Sequence, residues 1–540
     1  NMISHLHGQK APFELTDQIV YFHDWRYVFG GSLVWGDSDG NPLALMGIKP
    51  HPPVTLKQWD IPSGIKIVAQ EANKTEPFIT SEEIDELIIF GGTIINDDGL
   101  YRLWYSGRSD DKLNPGVMYT TDTNPQLISN GNLLLHEIQK KSSSDLESVN
   151  RLLSEEGHVC YAESTDAINW KFPDLDLLKI KSSNARNIVF DRGVEAGQVF
   201  IDPSAKPSEK YKMVYRGGIS AKEFKEYIKK RPDDVDTSAF KKDGAEALLG
   251  AVSPDGINWT KSHEPLLIQF CDVNNICEYD TIREKYVTYV RSWYFNRRSI
   301  ARTESDTFGN FPAPTEVFWT NSFMNPYESW YANSKTKIPG TSTYHVMFPK
   351  RWNLSLDQFD FHLAASPDNV VWGAVPGGPV CKPGNLGTWD GGVVDPAPDL
   401  LELPGDRWGL HYVGTPVPHK YPRRPPFGAM AWAWWPKGRL VALRSEDKGS
   451  FALWPLFTKG RNVYLNYQTK ATGLIKVEVV GEDGNTVAGR SFDDCDPISG
   501  NDLNRLVTWK GDSDIKIPEN TPVKLRFQLI KTDLFSVRFN

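Results

Sequence analysis

The sequence predicts an all-β fold in which a five-bladed β-propeller is followed by a C-terminal β-sandwich. Three observations predict it. The phrase S-x-D-x-x-x-W occurs three times, as STDAINW (164–170), SPDGINW (253–259) and SPDNVVW (366–372). Strand-like alternation recurs around the copies in a constant order, whereas helical periodicity is scarce. From about Leu453 the pattern changes to regular alternation between polar turns, which indicates a second β domain.

The repeated phrase is a turn signal, because Ser, Pro, Asp and Gly favour tight turns. We expect it to join the outer two strands of a sheet, with its Trp packed against the next sheet. Before the first copy lie the strand-like runs ELIIFGGTII, LYRLWYSGR and HVCYAE, and two more units without the phrase begin at DVNNICEYD and DGGVVDPAPDLLEL. A four-stranded sheet cannot bury both faces alone, so five units predict stacking around one axis. Unrelated sandwich domains are the alternative.

These patterns divide the chain into a propeller at residues 1–452 and a sandwich at residues 453–540. The run IVYFHDWRYVFGG (19–31) would add an outer strand to the last blade and close the ring. The sandwich contains the hairpin signal EDGN (482–485). Two polar stretches, 142–157 and 220–234, predict helices inserted in loops, and WGDSDGNP (35–42) predicts a hairpin.

The composition argues against some partners. The formal net charge is −8, with 60 basic and 68 acidic residues, which argues against nucleic-acid binding. No apolar run approaches the ~20 residues that cross a bilayer, so no membrane insertion is expected. The oligomeric state stays open.

The cysteines and acidic runs indicate no resident cofactor. The five cysteines lack C-x-x-C spacing and predict buried free thiols, with a Cys271–Cys277 disulfide as the alternative. The stretch 35–42 is similar to part of a calcium-binding loop but lacks the rest of that pattern, so a structural calcium ion stays an open alternative.

Carboxylates stand at or just before the first strand of every unit. In a propeller the first strands begin beside the axis on one face, where the second strands also end. The five acids are Glu86, Glu195, Asp272, Glu328 and Asp390. A glycosidase needs one protonated carboxyl group to donate to the leaving oxygen and one ionised group as base or nucleophile. Crowded carboxylates raise one another's proton affinity, which keeps one of them protonated. Solvated acids that flank strands are the alternative.

Basic side chains accompany this ring of acids at the ends of the second strands. They are Arg108, Arg216, Arg291 and Arg351, with His419 in the fifth unit. An arginine there either fixes a neighbouring carboxylate or recognises an anionic group on a substrate, since the guanidinium fork suits carboxylate and sulfate. We expect the structural role for most of them.

Three tryptophans lie beside the same positions. They are Trp293, Trp330 and Trp389. Their rings would form a platform for a sugar, with packing between sheets as the alternative.

Several phrases carry a resemblance that covers nearly the whole chain. They are GGTIINDDGLYRLWYSG, CYAESTDAINW, VFIDPSAKPSEKYKMVYRGG, AVSPDGINW and CDVNNICEYDTIREKYVTYVR. The chain resembles the five-bladed propeller glycoside hydrolases, the group of invertases, fructanases, arabinanases and β-xylosidases. It is most similar to poorly characterised secreted bacterial proteins of the family-32-like type. The resemblance implies a secreted or periplasmic protein.

The chain also departs from that group. The invertase motif W-x-N-D-P-N-G is absent, Ile201 replaces the arginine before Asp202-Pro203, and the Glu-Cys pair is reversed in ICEYD. Fructoside specificity is therefore not carried over. In the arabinanase and xylosidase group, an Asp base, an Asp tuning residue and a Glu acid start three successive first strands. Glu86, Glu195 and Asp272 hold these places here, with different residue types.

The resulting hypothesis is an exo-acting glycoside hydrolase for an oligosaccharide or polysaccharide, with an anionic, uronic or sulfated glycan as one possibility. Its acid would be one of Glu195, Asp272 and Glu328. Two alternatives belong to other classes. One is a non-catalytic carbohydrate-binding propeller. The other is a polysaccharide lyase for uronates, which needs a Tyr or His base beside an Arg or a metal.

Overall fold

Strands dominate the structure. The computed structural model describes residues 12–30, 35–36, 42–44, 60–81, 83–84, 88–108, 157–180, 183–191, 198–231, 240–241, 244–269, 271–272, 274–419, 428–482 and 484–540. A single α-helix lies within these ranges. The prediction of a mostly β chain is confirmed.

Seven short strands precede the repeated sheets. They are β1 (Phe13–Glu14), β2 (Ile19–Tyr21), β3 (Trp35–Gly36), β4 (Pro42–Ala44), β5 (Lys66–Ala69), β6 (Asn73–Lys74) and β7 (Ile79–Thr80). Strands β3 and β4 pair as the predicted hairpin. The other five pair with strands from the C-terminal part of the chain.

Two antiparallel sheets come next. Sheet A contains β8 (Ile88–Asp97), β9 (Leu100–Arg108), β10 (His158–Ser164) and β11 (Ile188–Phe190). Sheet B contains β12 (Gln198–Ile201), β13 (Tyr211–Ser220), β14 (Phe240–Lys241), β15 (Gly244–Ser253) and β16 (Thr260–Lys261). A short 3₁₀ turn at Pro207–Glu209 precedes β13.

Helix α1 (Ala221–Lys230) follows β13 and lies within the predicted helical stretch 220–234. It begins at a capping box in which the Ser220 hydroxyl accepts from the Glu223 N–H and the Glu223 carboxylate accepts from the Ser220 N–H. This reciprocal pair satisfies two donors that the first turn leaves open. The other predicted helix, 142–157, lies outside the described residues.

Three more antiparallel sheets follow. Sheet C contains β17 (Ile276–Asp280), β18 (Lys285–Tyr294), β19 (Arg297–Ser305) and β20 (Thr315–Phe318). Sheet D contains β21 (Glu328–Ala332), β22 (Lys335–Lys337), β23 (His345–Met347), β24 (Lys350–Asn353), β25 (Gln358–Phe361), β26 (Ala364–Ser366) and β27 (Gly373–Ala374), arranged in two ladders. Sheet E contains β28 (Val393–Leu403), β29 (Arg407–Thr415) and β30 (Ala429–Pro436), completed by β6 and β7.

The first strands of these five sheets lie side by side. Strand β8 contacts β12, β12 contacts β17, β22 contacts β28, and β28 contacts β8. The ammonium group of Lys335 on β22 donates to the Glu278 carboxylate on β17, and this bond joins the first strands of sheets C and D. Contacts therefore link the first strands of sheets A to E.

The outer strand of sheet E comes from residues 73–80, which pair with β30. The prediction that residues 19–31 would supply it is wrong, because β2 pairs with the last strand of the chain instead. The apolar side chain of Val20 is buried in the C-terminal core, which accounts for that pairing. The run at 73–80 is too polar for its strands to be recognised from alternation.

The repeated S-x-D-x-x-x-W phrase forms the same turn in sheets A, B and D. In the first copy, the Ser164 hydroxyl accepts from the Ala167 N–H at 2.9 Å, and the Asp166 carboxylate accepts from the Asn169 N–H at 2.7 Å. These bonds lower the pKa of Asp166, with the Asn169 N–H as the main cause. The central residue takes a positive φ in every copy, at Ala167 (63°), Gly256 (79°) and Asn369 (62°).

Each copy of the turn docks on an aromatic side chain of the preceding sheet. The donor and acceptor pairs are Trp432 Nε1 to the Ala167 carbonyl (2.8 Å), Trp104 Nε1 to the Gly256 carbonyl (2.6 Å) and Tyr289 Oη to the Asn369 carbonyl (3.0 Å). The prediction that the turn tryptophan packs on the next sheet is wrong in direction. For sheet A the aromatic side chain belongs to sheet E.

The C-terminal sheet F is built on two long strands. The C-terminal strands of sheet F are β31 (Val441–Ala452), β33 (Val463–Val480), β34 (Asn501–Leu506) and β35 (Lys524–Phe539), and the short β32 (Leu456–Phe457) belongs to a separate two-stranded sheet. Strands β34, β33, β35, β31 and β5 lie in that order, with β2 beside β35, while β32 pairs with β1. Sheet F thus takes strands from both sides of residue 452. Its core is continuous with sheets D and E.

All five cysteines are buried and none of them forms a disulfide, so the alternative of a Cys271–Cys277 disulfide is wrong. Within the described ranges, no helix combines the length and the apolar character of a bilayer-spanning segment.

Candidate active site

The sequence places the ring of acids at or just before the first strands of the sheets. Glu86 and Glu195 lie outside the described residues. Arg108 ends β9, but its side chain is also outside the described part of the chain. The site residues whose side chains the structure describes therefore belong to sheets B to E.

Asp272 lies just before β17 and is partly open to solvent, with 27% of its side chain exposed. One carboxylate oxygen lies 3.2 Å from Nη1 of Arg216, and the other accepts from Nη1 of Arg291. Arg216 in turn pairs with the buried Glu246, at 2.9 Å from its Nε. Asp272 is thus a carboxylate clamped between two guanidinium groups from sheets B and C.

Arg291 reaches from sheet C into sheet D. Its side chain is fully buried, and its Nη2 and Nε donate to the Tyr331 carbonyl at 3.0 and 3.2 Å. Its guanidinium carbon lies 4.2 Å from the centre of the Tyr331 ring. With Asp272 and Tyr331 as partners, Arg291 has the structural role expected for most of the ring's arginines.

Glu328 starts β21 and is buried in an ion pair. Its Oε1 accepts from Nη1 of Arg351 at 2.8 Å, and its Oε2 accepts from the Asn325 N–H at 3.1 Å. Arg351 also binds Asp360, with Nε 3.0 Å from the carboxylate. Both groups are satisfied within sheet D, which leaves neither of them directed at an open site.

Asp390 precedes β28 and is also buried. Its Oδ2 accepts from Lys74 at 2.7 Å and from the Tyr412 hydroxyl at 3.1 Å. Trp389 stacks on the Tyr412 ring, with ring centres 5.7 Å apart and planes 22° apart. The ion pair between Lys74 and Asp390 holds the segment 73–74 against sheet E.

The other predicted aromatic and basic residues divide by exposure. Trp330 is 6% exposed and packs between Phe318 and His362. Trp293 is 41% exposed. His419 lies with Nε2 3.1 Å from the Tyr331 hydroxyl, which brings it to the same place as Arg291 and Asp272.

Four residues at this place were not singled out from the sequence. They are Arg298, Tyr331, Lys350 and Asp395. Lys350 is buried and donates to Asp395 at 2.6 Å, while the Asp395 side chain is 37% exposed. The Lys350 ammonium also lies 4.9 Å from the centre of the Tyr331 ring. The phrase VVDPAPD offered Asp395 as a further acid on the same first strand, three residues from its start.

Arg298 owes its position to the β18–β19 hairpin. The two turn residues Phe295 and Asn296 both have positive φ, 47° and 59°, as a two-residue hairpin turn requires. The register that follows places Trp293 directly opposite Arg298. The guanidinium carbon lies 4.8 Å from the ring centres of Trp293, Tyr331 and Trp352.

These side chains form one group around Tyr331, here named the Tyr331 cluster. It consists of Asp272, Arg291, Trp293, Arg298, Tyr331, Lys350, Asp395 and His419. Burial lowers the pKa of Lys350 despite its carboxylate partner, and burial followed by the charge of Arg291 lowers the pKa of Arg298. The cluster offers two partly exposed carboxylates, an exposed aromatic ring and several cations, which is a set that suits a polar ligand with a ring.

Within the described ranges, one other group has metal-ligand residue types. Glu278, Asp280 and His345 bring one donor atom each to within 4.8 Å of the others. Lys335 already donates to Glu278, and the Asn369 amide donates to Glu278 at 2.9 Å and to Asp280 at 2.8 Å. These bonds serve as a network that ties sheet C to sheet D, and we assign no metal to it.

Neither the scan against protein-family models nor the search of curated proteins gave a match. Solved structures with a similar fold include a Bombyx mori family-32 β-fructofuranosidase, at 11% identity and a TM-score of 0.37, over 88% of this chain and 94% of that one. They also include the catalytic domain of a Coprinopsis cinerea family-62 α-L-arabinofuranosidase, at 11% identity and a TM-score of 0.39, over 67% of this chain and 97% of that one. A third is an N-acetylgalactosamine deacetylase from F. plautii, at 11% identity and a TM-score of 0.37, over 76% of this chain and 94% of that one. The first two are propeller glycoside hydrolases, the group that the sequence resembles. At this identity and TM-score, no activity or residue role is carried over from any of them.

Proposed function

We propose that the chain is a glycoside hydrolase built on a five-bladed β-propeller and that it acts on an oligosaccharide or polysaccharide. The blades would be sheets A to E. Two features support this arrangement: contacts link the first strands of the five sheets, and the repeated turns dock sheets A, B and D on the preceding sheets. A propeller gathers the starts of its first strands at one face, where a ligand can contact several blades.

The observation that carries the proposal is the position of Asp272. Its carboxylate is partly exposed at the start of a first strand and is held by Arg216 and Arg291. Two guanidinium groups stabilise its ionised form, so it suits the base, the nucleophile or the stabiliser of a cation-like transition state. The proton donor must then be another carboxyl group, and Glu86 and Glu195 are proposed for that role.

Asp395 is a second carboxylate of the same cluster. Its pairing with the buried Lys350 leaves the side chain more exposed than that of Asp272. We place Asp395 among the groups that contact the substrate, together with His419. Glu328 and Asp390, each buried in an ion pair, would act by holding the surrounding strands.

The proposal also includes a C-terminal sandwich, an exo-acting mode and a location outside the cytoplasm. Sheet F would form the C-terminal β-sandwich, since residues 484–500 and 507–523 contact it through the bridges Ile475–Ile498 and Val480–Thr486 and through the bond from the Val507 N–H to the Val463 carbonyl. The exo-acting mode rests on the long insertions in the sequence. The secreted or periplasmic location rests on the resemblance.

The proposed activity is tested with the purified protein and a panel of neutral, uronic and sulfated oligosaccharides. We expect wild type to release a reducing sugar from at least one of them, and Asp272→Asn to lower turnover by about 100- to 10,000-fold. Asp406→Asn is the control, because Asp406 lies in the exposed turn after β28 and makes no such contact. Equal turnover in wild type and Asp272→Asn would remove Asp272 from the mechanism.

A second candidate is a lyase for uronates, and one contact favours it. The Tyr331 hydroxyl and His419 Nε2 lie 3.1 Å apart beside Arg298, which supplies the base and the cation that such a reaction requires. Burial raises the pKa of Tyr331, which makes its hydroxyl a weaker acid and favours His419 as the base. The same panel separates the two reactions, because a lyase gives an unsaturated product that absorbs in the ultraviolet.

A further inference from the structure

Arg298 differs from the other cations around it in having no carboxylate partner among the residues that the structure describes. Arg216 pairs with Glu246, Arg291 with Asp272 and Lys350 with Asp395. No carboxylate among the described residues lies within ion-pair distance of Arg298. The four cations and three carboxylates of this region, counted over the described chain, therefore leave one positive charge unbalanced.

The unbalanced charge is also poorly hydrated. Arg298 is partly buried, and its Nε has no hydrogen-bond acceptor within the described part of the structure. An unpaired cation away from water carries a cost in free energy, which contact with aromatic rings offsets only in part. A guanidinium group in this setting binds an anion more strongly than one in open solvent, because little water has to be displaced.

The surroundings indicate what kind of anion would fit. Trp293, directly opposite Arg298 in the hairpin, is 41% exposed and offers an aromatic surface at the edge of the cluster. Sugar rings pack on such surfaces through their apolar faces. Asp272 and Asp395 repel a free anion from the two sides, so the anion must be carried by a larger group that binds through other contacts.

We propose that Arg298 binds an anionic substituent, a carboxylate or a sulfate ester, on a sugar that lies against Trp293. The guanidinium fork matches both oxyanions through two parallel hydrogen bonds. This inference deepens the proposed function, since it uses the same site and names the substrate class. The predicted anion-binding role thus falls to an arginine outside the predicted ring, because Arg216, Arg291 and Arg351 are all paired.

The test measures binding apart from catalysis. Galacturonate, glucuronate and galactose 6-sulfate are titrated into wild-type protein, with galactose and glucose as their neutral counterparts, and binding is followed by nuclear magnetic resonance. We expect at least one anionic sugar to bind at least about 10-fold more tightly than its neutral counterpart. The uronates and the sulfated sugar distinguish the two substituents.

Arg298→Gln is expected to weaken binding of that anionic sugar by about 10- to 100-fold and to leave the neutral sugar unaffected. Arg298→Lys keeps the charge but loses the fork, so an intermediate loss is expected, which also guards against a folding defect in the first variant. Arg407→Gln is the matched control, since Arg407 also lies over a tryptophan, 4.4 Å from the Trp434 ring centre, away from the cluster.

Two results would overturn the inference. One is equal binding of anionic and neutral sugars by wild type, or no binding of any anionic sugar. The other is an equal loss of anionic-sugar binding and neutral-sugar binding in Arg298→Gln, because such a loss indicates a structural role for the side chain. Failure of the proposed hydrolysis is a separate result, because selective binding that depends on Arg298 would stand even if no product formed.

Discussion

At the scale of single residues, Tyr331 organises charges that would otherwise repel one another. Its carbonyl accepts from Arg291, its hydroxyl contacts His419, and its ring lies close to Arg291, Arg298 and Lys350. The face of an aromatic ring carries partial negative charge, which stabilises each cation next to it. One buried side chain from β21 thereby sets the positions of three cations from β18, β19 and β24.

Asp399 supplies a pH-dependent prediction at the same scale. It lies in the irregular part of β28, where one carboxyl oxygen is buried with no partner in the described chain. Burial, and then the negative charge of Glu278, raises the pKa of Asp399 to about 7. Because the folded state holds this proton more tightly than the unfolded state, the contribution to stability is full below about pH 4 and is lost as the pH rises to about 7.

We therefore expect Asp399→Asn to remove this loss. The free energy of unfolding of the variant should match wild type at about pH 3 and exceed it by about 4 kcal/mol at pH 8, measured by urea denaturation. The exposed Asp406→Asn variant serves as the control. A constant difference between Asp399→Asn and wild type across this range would contradict the assignment.

At the scale of elements, the repeated turn tolerates different central residues for different reasons. Positive φ is strained for Ala167 but not for Gly256, since glycine lacks a Cβ. At Gly256 the Trp104 ring also approaches closely, and an added Cβ would lie 2.6 Å from its Cζ2. Backbone strain therefore limits the central residue of the turn in sheet A, whereas packing against Trp104 limits it in sheet B.

Two opposite substitutions test this difference. Gly256→Ala should lower the free energy of unfolding by about 2 kcal/mol, because the Cβ meets both the strained backbone and the Trp104 ring. Ala167→Gly should raise it by about 0.5–1 kcal/mol, because it relieves the left-handed backbone. Thermal unfolding of the two variants beside wild type measures both signs, and a loss of stability in both would refute the explanation.

At the scale of the whole molecule, a buried ion network joins the two ends of the chain. Asp60, fully buried, accepts from Arg526 at 2.7 Å and lies 2.9 Å from Lys524. Arg526 also binds Glu478 at 2.9 Å. Burial opposes ionisation of Asp60, but its bonds to Arg526 and Lys524 outweigh this effect and hold its pKa below the usual range.

Asp60→Asn is expected to lower the free energy of unfolding by about 3 kcal/mol at pH 7, since it removes the buried negative charge that faces both Lys524 and Arg526. Because the Asp60 pKa is depressed, this difference should shrink as the pH falls below about 4 and Asp60 itself becomes protonated. Asp533, which lies on β35 with Arg526, forms a more exposed pair with Arg444 of β31, so Asp533→Asn should cost about 1 kcal/mol or less. Urea denaturation at pH 7 and pH 3 compares them, and an equal cost for both pairs would contradict the proposed network.

Much of the fold could be predicted because strand alternation and turn residues are local signals. The first strands, the helix within 220–234 and the hairpin at 35–42 all follow from short stretches. The pairing of charges could not be predicted in this way. Arg291 and Arg298 both lie in sheet C, seven residues apart, yet only the packing of sheets B and D decides that one of them meets a carboxylate. Trp293 and Trp330 likewise differ in exposure through the faces of their strands.

The direction in which the repeated turns dock has a consequence for synthesis on the ribosome. The turns of sheets B and D contact aromatic side chains that emerge earlier, so those contacts can form while the chain is still growing. The turn of sheet A must wait for Trp432, which emerges 265 residues after Ala167. The first sheet to be made is therefore the last to be completed, and a chain released before β30 would keep an open edge between its first and last sheets.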